Sequence, residues 1–320
     1  MIDCLLKVEN LKVSFSHEDS YLQVVRGFDL EIQRGEIVGI VGESGSGKTV
    51  SASSITKLIP EDVARIDSGS VIFEGKELMG LSEKLLKSIR GKNISYIFQN
   101  PTMALNPYKR IGTQLKAILN IHRLPAIKEE ILDTLKSVGI ENAKQVYNMF
   151  PYQLSGGLNQ RVMIAECILC KPRLVIADEP TSAIDASVQR KVLDLLKEIN
   201  KTYETSIMLI THDFDVAKYI CDKVLIMYGG LVLEEGKVEE VFHEPLHPYT
   251  KELIKCANAL DSEEDDLYSL NGMPPIPKDF SNQCPFYERC SEARNECLEN
   301  IPKIIDINNR KVRCIKYEKR

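Results

Sequence analysis

Apolar and polar residues follow two rhythms along this chain. "LLKVENLKVSF", Leu5 to Phe15, alternates between them, the mark of a strand with one face on a core. Elsewhere the apolar runs are short and unbroken. Ile37 to Val41 reads as a buried strand that runs into a glycine-rich turn and then a helix from near Lys48. Leu174 to Ala177 reads as a parallel strand covered on both faces. "TSIMLITHD" and "ISYIFQ" are further strands, delivering His212 and Gln99 at their ends. These elements predict an α/β fold with polar residues gathered at the carboxyl ends of its strands.

Composition narrows the range of functions. A length of 320 residues suggests about two domains, and 43% hydrophobic with 27% charged residues is the balance of a globular protein. The formal net charge of -5 disfavours non-specific nucleic-acid binding. No apolar run approaches the ~18 residues of a membrane-spanning helix, and Asp3, Lys7 and Glu9 interrupt the opening apolar patch, so the chain is expected in the cytoplasm. In that reducing compartment its nine cysteines point to a metal or a reactive role rather than to disulfides.

The turn after Val41 carries specific chemistry. In "GESGSGKT", the residues Gly42, Ser44, Gly45, Ser46 and Gly47 form a loop whose backbone N–H groups can turn inward around phosphate oxygens. Lys48 would meet the β- and γ-phosphates of a triphosphate, Thr49 would coordinate Mg2+, and the helix N-terminus adds partial positive charge. At the end of "RLVIADEP", Asp178 would hold Mg2+ and Glu179 would polarise the attacking water. His212 and Gln99 would contact the γ-phosphate and that water, with Gln99 also toward Mg2+.

"LSGGLNQRVMIAECIL" from Leu154 closely resembles the signature of ATP-binding cassette (ABC) ATPases. The phosphate loop, Gln99, "LSGG", "DEP", "SAID" with Asp185 and "THD" appear in the order of that family. The resemblance spans roughly residues 5 to 255 of a nucleotide-binding domain of residues 1–260. It implies a P-loop NTPase core, an antiparallel β-subdomain and a helical subdomain at about 100–165. It also implies that Ser155, Gly156 and Gly157, at a helix start, bind the γ-phosphate of ATP held on a second subunit. Asp185 would lie at that interface, and Phe15 would stack on adenine.

The tail, "VFHEPLHPYTKELI", "NGMPPIP" and "CPFYERC" through "VRC", resembles that of ATP-binding subunits of oligopeptide, dipeptide and nickel importers. This implies peptide import with a paralogous or identical second subunit, two transmembrane permease subunits and, indirectly, an extracytoplasmic binding protein. A nickel or metal-chelate importer and a non-transport ABC ATPase are the alternatives. His243 and His247 read as parts of a packed loop. The acidic "DSEEDDLYSLNG" marks a boundary before a small extension, residues 261–320, with little apolar material. Its cysteines, Cys284, Cys290, Cys297 and Cys314, suit iron–sulfur or zinc. The family resemblance implies a [4Fe-4S] cluster, with zinc and free thiols left open. Cys167 and Cys170 read as packing residues inside the signature helix.

Overall fold

The structure is a computed structural model that describes residues 4–18, 20–182, 186–261 and 270–318. The chain divides into two compact units, one of residues 1–33, 37–80 and 210–320, the other of residues 34–36 and 81–209.

In the first unit an antiparallel sheet places Cys4–His17 between Ser20–Gln33 and Ala64–Phe73, with Lys76–Glu77 beyond the latter. The alternation expected for the first strand changes parity partway. Leu6 and Val8 are buried, then Leu11 and Val13, because a bulge falls between Val8 and Leu11. Asn10, at φ 46, makes that kink, and its N–H donates to Asp29 Oδ1 at 2.8 Å.

The second sheet of this unit is mixed. Ile37–Val41 pairs in parallel with Lys223–Tyr228, as an α/β fold requires, but the pairing beyond is antiparallel. Leu231–Lys237 returns through the tight turn at Gly229 and Gly230 and then receives a terminal hairpin, Arg310–Val312 with Ile305–Ile307. The last strands of the expected extension therefore lie in the sheet that carries the glycine-rich loop. Most of the acidic stretch at its expected boundary, residues 262–269, is outside the described residues.

What fastens the hairpin is ionic and buried. Glu234 is fully buried; its carboxylate accepts from Arg310 Nη2 at 2.6 Å and from the N–H groups of Leu246 and His247, both at 2.9 Å. Arg310 also donates to the Glu244 carbonyl at 2.7 Å. Removing either charge alone would strand the other in a dry core, at a cost of about 3–5 kcal/mol. Beside this pair the rings of Tyr228, Tyr249 and Phe286 form one aromatic cluster, with centroids 4.5 to 5.5 Å apart.

In the second unit Ile94–Ile97 and Leu174–Asp178 pair in parallel, and Ser206–Thr211 flanks the latter on its other side. Helices Ile111–Ile121, Lys128–Ser137, Ala143–Asn148 and Gly156–Ile168 fill the expected helical region. Leu115, Ile131, Leu135 and Val162, apolar at helical spacing, are all buried there. Ala186–Tyr203 buries Val192, Leu193, Leu196 and Ile199 in the same way. No helix among the described residues is long and apolar enough to cross a membrane.

Candidate active site

The glycine-rich loop of the first unit is shaped by close approach. A Cβ on Gly42 would lie 2.1 Å from the carbonyl oxygen of Met227, so no side chain fits there. Gly47, at φ 101, closes the loop and caps the helix Lys48–Ile55 from a conformation that L residues avoid. Its neighbour Ser46 accepts from Gly230 N–H at 3.1 Å, which ties the loop to the sheet.

Lys48 is 5% exposed, and its ammonium donates to the carbonyls of Gly42 at 2.7 Å and Glu43 at 2.8 Å. The hydroxyl of Ser46 is buried with no hydrogen-bond partner among the described residues. A buried donor left over is costly unless a ligand takes it. Ser44, Gly45 and Thr49 are exposed, the last at the start of the helix. A helix start, a buried ammonium and an unclaimed hydroxyl together suit a polyphosphate.

The second unit holds the acidic turn. Leu174–Asp178 is buried through Ala177 and emerges at the half-buried Asp178 and Glu179. Glu179 has φ 45, a left-handed conformation that costs a residue with a side chain roughly 1–3 kcal/mol. Its carbonyl accepts from both Ser182 N–H and Ser182 Oγ, and Gln99 Nε2 donates to its carboxylate Oε2 at 2.8 Å. The structure thus brings Gln99 and Glu179 together. Lys48 and Glu179 belong to different units.

Ser155 caps the signature helix, its Oγ accepting from Leu158 N–H at 3.3 Å, and a Cβ on Gly156 would meet nothing within 4 Å among the described residues. One turn into that helix, buried Gln160 donates from Nε2 to the Pro180 carbonyl at 2.8 Å. This tie between signature and acidic turn was missed from sequence; its signal is an amide at a helix position facing the core. Glu166, farther along the same helix, is held up at about 7 by burial. Burial likewise pushes the Cys167 thiol up to about 12, so it is inert packing. Cys170 corrects the expectation of two cysteines inside the helix, which ends at Ile168.

The remaining expected residues are placed as follows. Phe15 is half-buried on Cys4–His17, opposite Leu22 and Ala64. His212 is exposed one residue past Ser206–Thr211, and Asp213 after it caps Phe214–Ile220 by accepting from Asp215 and Val216 N–H. Asp185 lies outside the described residues. His247 is buried, its Nδ1 accepts from Tyr249 N–H at 3.0 Å, and its ring packs against Phe286.

Cys284, Cys290, Cys297 and Cys314 line one small cavity of about 20 Å³. Among the described residues no group of three or more His, Cys, Asp or Glu side chains is gathered at metal-binding geometry. Burial pushes the Cys284 thiol up to about 12 and raises those of Cys290 and Cys314. Such desolvated thiols ionise when a cation is at hand to pair with them.

Residues 25–182 match the ABC transporter family, and residues 233–297 match the oligopeptide/dipeptide transporter, C-terminal region. The chain is 41% identical over 318 residues to the oligopeptide transport ATP-binding protein AppD of Bacillus subtilis, covering 98% of this chain and 97% of the relative. It is 41% identical over 301 residues to OppD of Salmonella typhimurium, covering 93% and 89%. Among solved structures it resembles the dimeric post-hydrolysis state of the ATP-binding cassette MJ0796 bound to ADP and Pi, with a TM-score of 0.65 and 28% identity over 73% of this chain and 99% of that one. The chain belongs to the family of ABC transporter ATP-binding subunits, in its oligopeptide/dipeptide branch.

Proposed function

We propose that this chain is the ATP-hydrolysing subunit that energises an importer of oligopeptides or dipeptides, held on the cytoplasmic face of the membrane by two permease subunits. The observation that carries it is the presence in one chain of a loop shaped for polyphosphate and a C-terminal region of the oligopeptide/dipeptide type. An extracytoplasmic binding protein would deliver the cargo.

In this reading the loop of residues 42–49 wraps the phosphates, and Lys48 turns its ammonium from the loop carbonyls to the β- and γ-phosphates. Thr49, Asp178 and Gln99 hold Mg2+, which offsets phosphate charge when bound; few protein ligands are needed because this ion keeps several waters. Glu179 polarises the attacking water while Gln99 fixes its carboxylate, and His212 contacts the γ-phosphate. Phe15 supplies a face for adenine. Ser155, Gly156 and Gly157 complete the site of a second subunit, paralogous or identical, with Asp185 at the junction. The dimeric state of the MJ0796 cassette supports that arrangement.

Reconstitution with the two permeases tests it. Peptide-loaded binding protein should raise ATP hydrolysis and drive uptake of labelled peptide. Stimulation by a nickel chelate in place of peptide would reassign the cargo, and hydrolysis indifferent to permeases would overturn the importer reading.

For the tail, the chemistry of four thiols along the lining of one small cavity supports a soft tetrathiolate site. The reading is a [4Fe-4S] cluster that folds residues 261–320. A cavity with room for about one small ion is the observation favouring zinc as the second reading. Anaerobic purification with iron, sulfide and zinc analysis separates them, and a metal-free, well-folded tail overturns both.

A further inference from the structure

Glu43, the residue after Gly42, is gripped from the cysteine-bearing tail. The Arg289 guanidinium forks its carboxylate, Nη1 to Oε2 at 2.7 Å and Nη2 to Oε1 at 3.0 Å. Nη1 also donates to Tyr228 Oη and Nε to the Asn271 carbonyl, both at 3.0 Å. The Arg289 side chain is 6% exposed and that of Glu43 is 23% exposed. Glu43 is held at its backbone too: its N–H donates to Tyr249 Oη at 3.2 Å, and its carbonyl receives the Lys48 ammonium. Arg289 lies between Cys284 and Cys290, on a short helical turn, Tyr287–Arg289, next to the buried Phe286.

We infer that Arg289 is a positioning residue for ATP, through which the four-cysteine tail sets the shape and charge of the phosphate loop. The inference rests on reading residues 42–49 as that loop. Two effects act in one direction. The fork fixes the second residue of the loop at its side chain, and bidentate geometry allows it little play. It also cancels a carboxylate in the loop meant to receive a triphosphate; bare, that charge would repel the phosphates. An ion pair that merely anchored the tail would do neither.

A double-mutant cycle on the full-length chain separates the two roles, with the dissociation constant for ATP·Mg2+ as the readout. Arg289→Ala should weaken ATP about tenfold, and Glu43→Gln alone by no more than about threefold. Adding Glu43→Gln to Arg289→Ala should recover most of the loss, because the bare carboxylate is gone. Arg289→Lys, which keeps the charge and loses the fork, should fall between. In the assembled transporter the Arg289→Ala loss should appear in KM, with kcat at saturating ATP within about twofold. If Arg289→Ala fails to fold, Arg289→Lys carries the test alone. Wild-type affinity in the single arginine variants, or a double variant as weak as Arg289→Ala, overturns the inference. Lys48→Ala distinguishes the failures: wild-type ATP binding by that variant sinks the loop reading itself, whereas its loss of binding alongside an uncoupled cycle sinks only the role of Arg289.

Discussion

In the loop of residues 42–49 the polar groups that matter are mostly backbone, and their shape follows from what cannot be there: no Cβ at Gly42 and a left-handed Gly47 ahead of the helix. At residues 178–182 the arrangement is reversed. There side chains carry the chemistry, and a non-glycine residue, Glu179, is forced to φ 45 and steadied by Ser182, by Gln99 and, at its neighbour Pro180, by Gln160. Glycine makes a cradle inexpensive to shape. A strained acid depends on each of its supports, so the second region is where chemistry should be lost without loss of binding.

The largest expected effect tests that division. Glu179→Gln should retain ATP binding yet lower turnover about a thousandfold, roughly 4 kcal/mol of transition-state stabilisation, because an amide cannot polarise the water. Near wild-type hydrolysis by the assembled transporter carrying it would remove Glu179 from the mechanism. Gly156→Asp comes next. A Cβ there meets no heavy atom within 4 Å among the described residues, so the variant should fold and bind ATP normally in the isolated subunit. Hydrolysis by the dimer should drop at least about a hundredfold, since the new carboxylate would face a partner-held γ-phosphate. Impaired ATP binding by the isolated, folded variant would instead place Gly156 at its own subunit's nucleotide.

The smallest effect concerns stability. Glu166, on the helix that supports the acidic turn, titrates at about 7 rather than at its usual 4.5 because burial penalises its charge. A raised native pKa means that stability is complete below about 4.5 and is lost as pH rises to about 7, where it levels off. Glu166→Gln should therefore stabilise the protein at pH 8 by about 1–3 kcal/mol and change little near pH 4.5. Urea midpoints at the two pH values check it; an equal shift at both would mean that the carboxyl is not the source.

The two regions also differ in how much of them could be read from sequence. The glycine loop was legible because each of its constraints is local: strand, turn, lysine and helix follow one another without a gap. The expected strand ends at Asp178 and His212 were legible for the same reason, as apolar runs that stop at polar residues. Gln160 and the left-handed Glu179 were not, since nothing in a helical amide or an acid announces a partner some twenty residues away or a positive φ. Arg289 on Glu43 was more remote still, at a separation of 246 residues. The terminal hairpin escaped notice because its strands of three residues each carry too few apolar positions to set a period.

That hairpin bears on how the protein is made. Until Arg310–Val312 arrives, Leu231–Lys237 presents an open edge, and Glu234 has no cation to meet. Synthesis at about 5–20 residues per second leaves that edge bare for several seconds on every ribosome. An uncapped strand with apolar residues on both faces is a template for pairing with the next nascent chain. A chain cut short before Arg310 should therefore leave the edge bare and move into the insoluble fraction of a cell lysate whatever the state of its nucleotide loop, while equal solubility of the cut and full-length chains would show that the edge needs no cover.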